Sequence, residues 1–208
     1  MKSFNKPAKT FAEQIELLKA RGMQFANEQE AQFYLEQINY YRLGAYWLPF
    51  EYTHSPHCFK PDTSFEQVLE LYVFDRELRL LILDAIERLE VAVRTRFAYE
   101  LAHRHGCHAY LQGQYFKPTF RWQSLLESLK TEVSRADEVF IEHYKRTYDD
   151  PELPPIWATC EVMSFGQLSK WYQLLAPIQT RKAISSHFDC DEKQFEGLLQ
   201  HFVYLRNT

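Results

Sequence analysis

An all-α protein is predicted by three observations. Helix-capping signals recur along the chain, residues 65–104 contain neither Gly nor Pro, and the six Gly and nine Pro fall mostly between periodic stretches. Hydrophobic residues make up 46% of the sequence, and sixteen Phe, thirteen Tyr and four Trp imply a core that is largely aromatic. That is enough apolar material for one packed domain spanning 1–208. It divides into an N-terminal helical lobe (about 1–50) and a central and C-terminal bundle (about 63–208).

Thr10 and Glu13 have capping-box spacing and open a helix that Gly22 stops after Arg21. Asn27 with Glu30 opens a second, carrying Phe33, Tyr34, Ile38 and Tyr41 at helical intervals until Leu43-Gly44. Residues 51–62, with Pro56 and Pro61, read as a loop. Thr63 or Ser64 then caps the dominant element, a central helix over about 65–104. Leu71, Phe74, Leu78, Leu81, Ala85, Leu89 and Ala92 form one apolar stripe on it, and Leu80, Leu83 and Val91 a second. Its middle is therefore expected to be packed on two sides. Gly106 ends it. Further helices are predicted over about 121–148, 157–175 and 180–187, and a last one starts at Asp191 with Gln194 in the reciprocal capping position. No repeat, coiled-coil heptad or low-complexity tract is present.

The balance of 24 basic and 28 acidic residues gives a net charge of -4. A protein that binds nucleic acid chiefly by neutralising phosphates is normally basic, so any RNA contact must come from a local cluster. No window approaches the ~20 apolar residues of a membrane span, and residues 1–14 lack the apolar core of a secretory leader. Cys58, Cys107, Cys160 and Cys190 are widely spaced without a CxxC pair, so reduced thiols in a cytoplasm are expected.

No Walker loop, GxGxxG, HExxH or GxSxG motif occurs, which removes the commonest cofactor-dependent and hydrolytic classes. Three clusters remain. His54, His57, Cys58 and Cys107 supply zinc-type ligands, but the spacings fit no standard module. Surface histidines with two buried thiols are the preferred reading, with no metal expected. Glu87, Glu90 and Arg94 lie within about 60° of one another on the central helix. Glu90 and Arg94 have ion-pair spacing, and a charged strip on a packed helix can line a cleft shared with the C-terminal helix. Arg96, Glu100 and His103, at i, i+4 and i+7, share another face, where a solvated helix end is the plainer reading.

Three stretches, Asn39–Trp47, Phe74–Arg79 running on to Ala85–Thr95, and Trp157–Ser169, together resemble the bacterial Abi family of abortive-infection proteins (the AbiD/AbiF type). The resemblance implies phage defence, and through the family's similarity to HEPN ribonucleases it implies a HEPN-like helical bundle. It implies a metal-independent RNA endonuclease without cofactor, working as a homodimer, with a phage trigger or an antitoxin as further partners. In that chemistry a ribose 2′-OH attacks the adjacent phosphate, a His transfers protons, an Arg stabilises the phosphorane and an Asn orients it. Arg206-Asn207 match the family's motif, with Arg94 and Glu90 joining them and Glu87, Arg96 and His103 as weaker candidates. The motif's histidine does not follow within the 208 residues, which implies an inactive chain unless Arg96 and His103 substitute. The alternative function is a non-catalytic helical sensor or partner-binding module in phage defence.

Overall fold

The computed structural model describes residues 3, 5 and 7–207, and the described residues form ten α-helices and one two-stranded antiparallel sheet. The chain divides into two compact units, Met1–Ile82 and Leu83–Thr208, and the division falls inside one helix.

In the first unit, α1 (Phe11–Ala20) carries the predicted capping box at Thr10, and Gly22 turns the chain at φ +96°, a conformation that costs a residue without Cβ little. The second predicted helix is two. Helix α2 (Glu28–Gln37) ends at Ile38, whose extended backbone breaks the ladder, and Asn39 caps a new helix, α3 (Tyr40–Trp47), by accepting from the Tyr41 N–H. Gly44 lies inside α3. The segment read as a loop contains a hairpin, β1 (Glu51–His54) and β2 (His57–Phe59). Its register pairs Glu51 with Phe59, Thr53 with Cys58 and His54 with His57, so Tyr52 is a bulge. The Phe59 N–H donates to the Arg21 carbonyl at 2.8 Å, tying the hairpin to the end of α1. Leu18, Leu43, Trp47, Phe59, Phe65 and Val68 form the centre of this unit's core.

Helix α4 (Phe65–His105) matches the predicted central helix, with Ser64 and Gln67 forming its capping box and Gly106 leaving it at φ +97°. Its middle departs from expectation. Phe74, Leu78, Leu80, Leu81, Leu83 and Val91 are exposed, Leu81 at 71%, so the described residues leave much of both apolar stripes uncovered. The buried positions include Phe65 and Val68 near its start, Ile86 and Glu90 in its middle, and Val93, Phe97 and Leu101 towards its end.

The second unit adds α5 (Thr119–Arg135), α6 (Val139–Thr147), α7 (Ile156–Val162), α8 (Phe165–Leu174), α9 (Ile178–Ser186) and α10 (Glu192–Asn207). Helix α8 packs against both α5 and α10 and buries Phe165, Leu168, Trp171 and Tyr172. Two predicted helices are again split. Between α5 and α6 the chain turns without Gly or Pro. Lys145 donates to the carbonyls of Val133 (2.8 Å) and Ser134 (3.4 Å), satisfying groups that the end of α5 frees. Between α7 and α8, Ser164 and Gln167 form a capping box that restarts the helix after Met163.

Candidate functional site

The charged strip of α4 is built around one buried carboxylate. Glu90 and Arg94 stand one turn apart, and an Arg94 terminal nitrogen donates to Glu90 Oε1 at 2.5 Å. Arg206, in the last turn of α10, brings its Nε to Glu90 Oε2 at 3.1 Å. Both Glu90 oxygens are thus engaged by cations from two helices. The same Arg94 nitrogen donates to the Met163 carbonyl at 2.6 Å, at the point where α7 ends and leaves carbonyls without helical partners. Arg94 Nε is buried and has no hydrogen-bond partner among the described residues. Arg206 remains 44% exposed and Asn207 beside it is exposed, so this side of the cluster faces water. Glu87 is exposed and makes no ion pair among the described residues.

Arg94 also lines an open cleft of about 330 Å³ between α4 and α7, with Thr95, Tyr99, His103, Trp157 and Glu161. Helix α10 does not border this cleft and meets the cluster on its other side through Arg206 and Glu90. Trp157 and Tyr99 are half-exposed aromatic walls. His103 stacks on Tyr99 with ring centroids 4.0 Å apart, and its Nδ1 lies 2.9 Å from the Tyr99 carbonyl. Cys160 also lines the cleft and is buried. Burial, with Glu161 nearby, pushes its thiol up to about 12, so it stays protonated at neutral pH.

Arg96 and His103 both lie against the Tyr99 ring, and no hydrogen bond joins them among the described residues. Arg96 donates to Glu100 at 2.9 Å and lies over the Tyr99 ring, and Arg104 takes the other Glu100 oxygen at 2.8 Å. Glu100 is therefore a second buried carboxylate shared by two arginines, both from its own helix. Of the four zinc-type ligands, His54 and His57 stand directly opposite each other across the hairpin, and Cys58 does not join them. Cys58 pairs with Thr53 and so faces away from His54 and His57, and it is exposed. Cys107, half-buried, lies in the second unit with its Sγ 3.3 Å from His108 Nδ1. The expectation of two buried thiols fails because neither belongs to a core. Sequence reasoning missed Trp157, Tyr99 and the Met163 carbonyl. The aromatics sit at helix positions indistinguishable from core ones, and a backbone acceptor leaves no mark in a sequence.

The model of the Abi-like protein family matches residues 33–208. The chain belongs to the Abi-like family. The match takes in α4, the α7–α8 segment and α10, and so every residue of the Glu90 cluster and of the cleft. Membership associates this Abi-like chain with phage defence by abortive infection. No curated protein and no solved structure matches it. Among the described residues no helix is long and apolar enough to cross a membrane.

Proposed function

We propose that this Abi-like protein is a HEPN-type RNA endonuclease toxin acting in the cytoplasm, with the Glu90–Arg94–Arg206 cluster as its phosphate-binding centre. The observation that carries this reading is the convergence of Arg206 on the buried carboxylate that already holds Arg94. Two guanidiniums fixed by one anion are pre-oriented, and a phosphate meeting them gains charge-assisted hydrogen bonds without first ordering the side chains. The neighbouring cleft supports RNA as the ligand, because half-exposed Trp157 and Tyr99 offer π-faces on which an unpaired base can stack.

Arginine and asparagine do not exchange protons near pH 7, so the proton-transfer group must be a histidine. Within the 208 residues, the histidine that fits this role is His103, in the cleft that Arg94 lines. The exposed apolar stripes of α4 support a second copy of the chain as the structural partner, and a phage component or antitoxin as trigger or restraint.

The test incubates total RNA with the 208-residue chain and with a form carrying a histidine added after Thr208, in EDTA. Expected are weak RNA binding by both, and cutting by the extended form that leaves 2′,3′-cyclic phosphate ends and is lost in Arg206→Ala. Metal-independent cutting by the 208-residue chain itself, lost in His103→Ala, would assign proton transfer to His103. Binding without cutting in every form would mark a non-catalytic recognition module. Absence of RNA binding rejects the proposal.

A further inference from the structure

We propose that Glu51, His54 and His57 on the β1–β2 hairpin form a divalent-cation site, with a donor set suited to zinc. The argument starts from register. In a regular strand, residues three apart point to opposite faces, so Glu51 and His54 would diverge. The bulge at Tyr52 absorbs one residue, and the pairs Glu51–Phe59 and His54–His57 then lie on the same face of the hairpin. His54 and His57 stand directly opposite each other, where neighbouring side chains are in contact range.

The three donor atoms converge, all within 4.8 Å of one another. His57 Nδ1 lies 2.8 Å from Glu51 Oε1, and His54 Nδ1 contacts Glu51 Oε2. Ligands about 2.0–2.1 Å from a tetrahedral zinc stand roughly 3.3 Å from each other, so small side-chain rotations seat an ion at the centre.

Burial supplies the second argument. The Glu51 side chain is fully buried, and among the described residues its only ionic partners are the two imidazoles. A buried carboxylate needs a compensating charge. Imidazole provides one only when protonated, whereas a metal ion provides it while leaving both rings neutral. The imidazoles are 63% and 44% exposed, which gives an ion a path from solvent. Two histidines and one carboxylate with a fourth position open to water is a donor set that zinc accepts. Cys58, on the opposite face, takes no part. Bound there, the ion would clamp the hairpin tip to the end that Phe59 buries in the first unit's core.

The test titrates the metal-free full chain with Zn²⁺ by calorimetry, and with Co²⁺ by visible absorption, which reports tetrahedral coordination. Saturable binding of one ion and a rise in Tm with Zn²⁺ are expected. His54→Ala/His57→Ala should weaken Zn²⁺ at least about tenfold, and Glu51→Gln, which leaves no uncompensated buried charge, should weaken it as well with an unchanged circular dichroism spectrum. Cys58→Ser should leave the affinity where it was. No saturable binding by the parent chain, or equal affinity in the double-histidine variant, overturns the site.

Discussion

Glu90 and Glu51 are both buried carboxylates whose two oxygens are taken by two different side chains, but the partners differ in kind. Glu90 holds two arginines, which keep their charge at any pH a protein meets. Its compensation is permanent, and the cluster serves as a fixed electrostatic fixture between α4 and α10. Glu51 holds two histidines, whose charge depends on pH and whose nitrogens can exchange a proton for a metal. The arginine partners suit the proposed anion site, whereas the histidine partners suit the proposed cation site on the carboxylate itself. Glu100, shared by Arg96 and Arg104 from its own helix, completes the contrast. It has the permanence of Glu90 without tying together separate elements.

The largest expected effect is at Glu90. Glu90→Ala leaves Arg94 buried without its anion and should lower unfolding free energy by about 3–5 kcal/mol in urea titration. Glu51→Gln, measured in chelator, should stay within about 1 kcal/mol of the parent, because a neutral amide of the same shape replaces a buried charge. Equal losses at the two positions would erase the distinction between a permanent and a conditional pair. Next comes Arg206→Ala, which should cost less than about 1 kcal/mol because the side chain is partly solvated. The same variant should nonetheless weaken RNA retention in a filter-binding assay. Unchanged retention would show that Glu90 and Arg94 serve the fold alone.

The smallest effect concerns pH in the second unit. Burial, with Arg104 beside it, holds His105 below the usual histidine range, and its Nε2 lies 2.8 Å from Thr180 Oγ1. The unfolded chain takes up the proton first, near pH 6.5. Stability contributed by His105 is therefore complete above about pH 6.5 and declines as pH falls through the lower folded value. The urea midpoint should drop more between about pH 7.5 and 5.5 in the parent than in His105→Gln. A parallel drop in both would remove His105 from the acid response.

Much of the fold was legible because its signals are local. The capping boxes at Thr10 and Asp191, the run from Phe65 to His105 and the stop at Gly106 all stand where the residues announce them. The missed breaks have two causes. Asn39 and Ser164 carry legible caps that sit inside continuous apolar patterns, and the pattern outweighed the cap. The turn after Arg135 has no local signal, since Lys145 on the following helix satisfies the carbonyls it exposes. The hairpin was hidden by Pro56 and Pro61, and with it Glu51, whose alignment with two histidines depends on a bulge. In the site, the Glu90–Arg94 pair follows from helix geometry, whereas the approach of Arg206 to Glu90 is tertiary and was reached through the resemblance alone.

Arg94 holds Glu90 and the Met163 carbonyl with one nitrogen, so its guanidinium ties the cluster to the end of α7. Any anion that draws the guanidinium away must release that carbonyl, and the turn from Cys160 to Ser164 then loses a restraint. One that settles against Arg94 in place tightens the same turn. Deuterium uptake at the amides of Met163 and its neighbours therefore reports occupancy of the centre directly. It would register any ligand of the proposed site without an assay of cleavage.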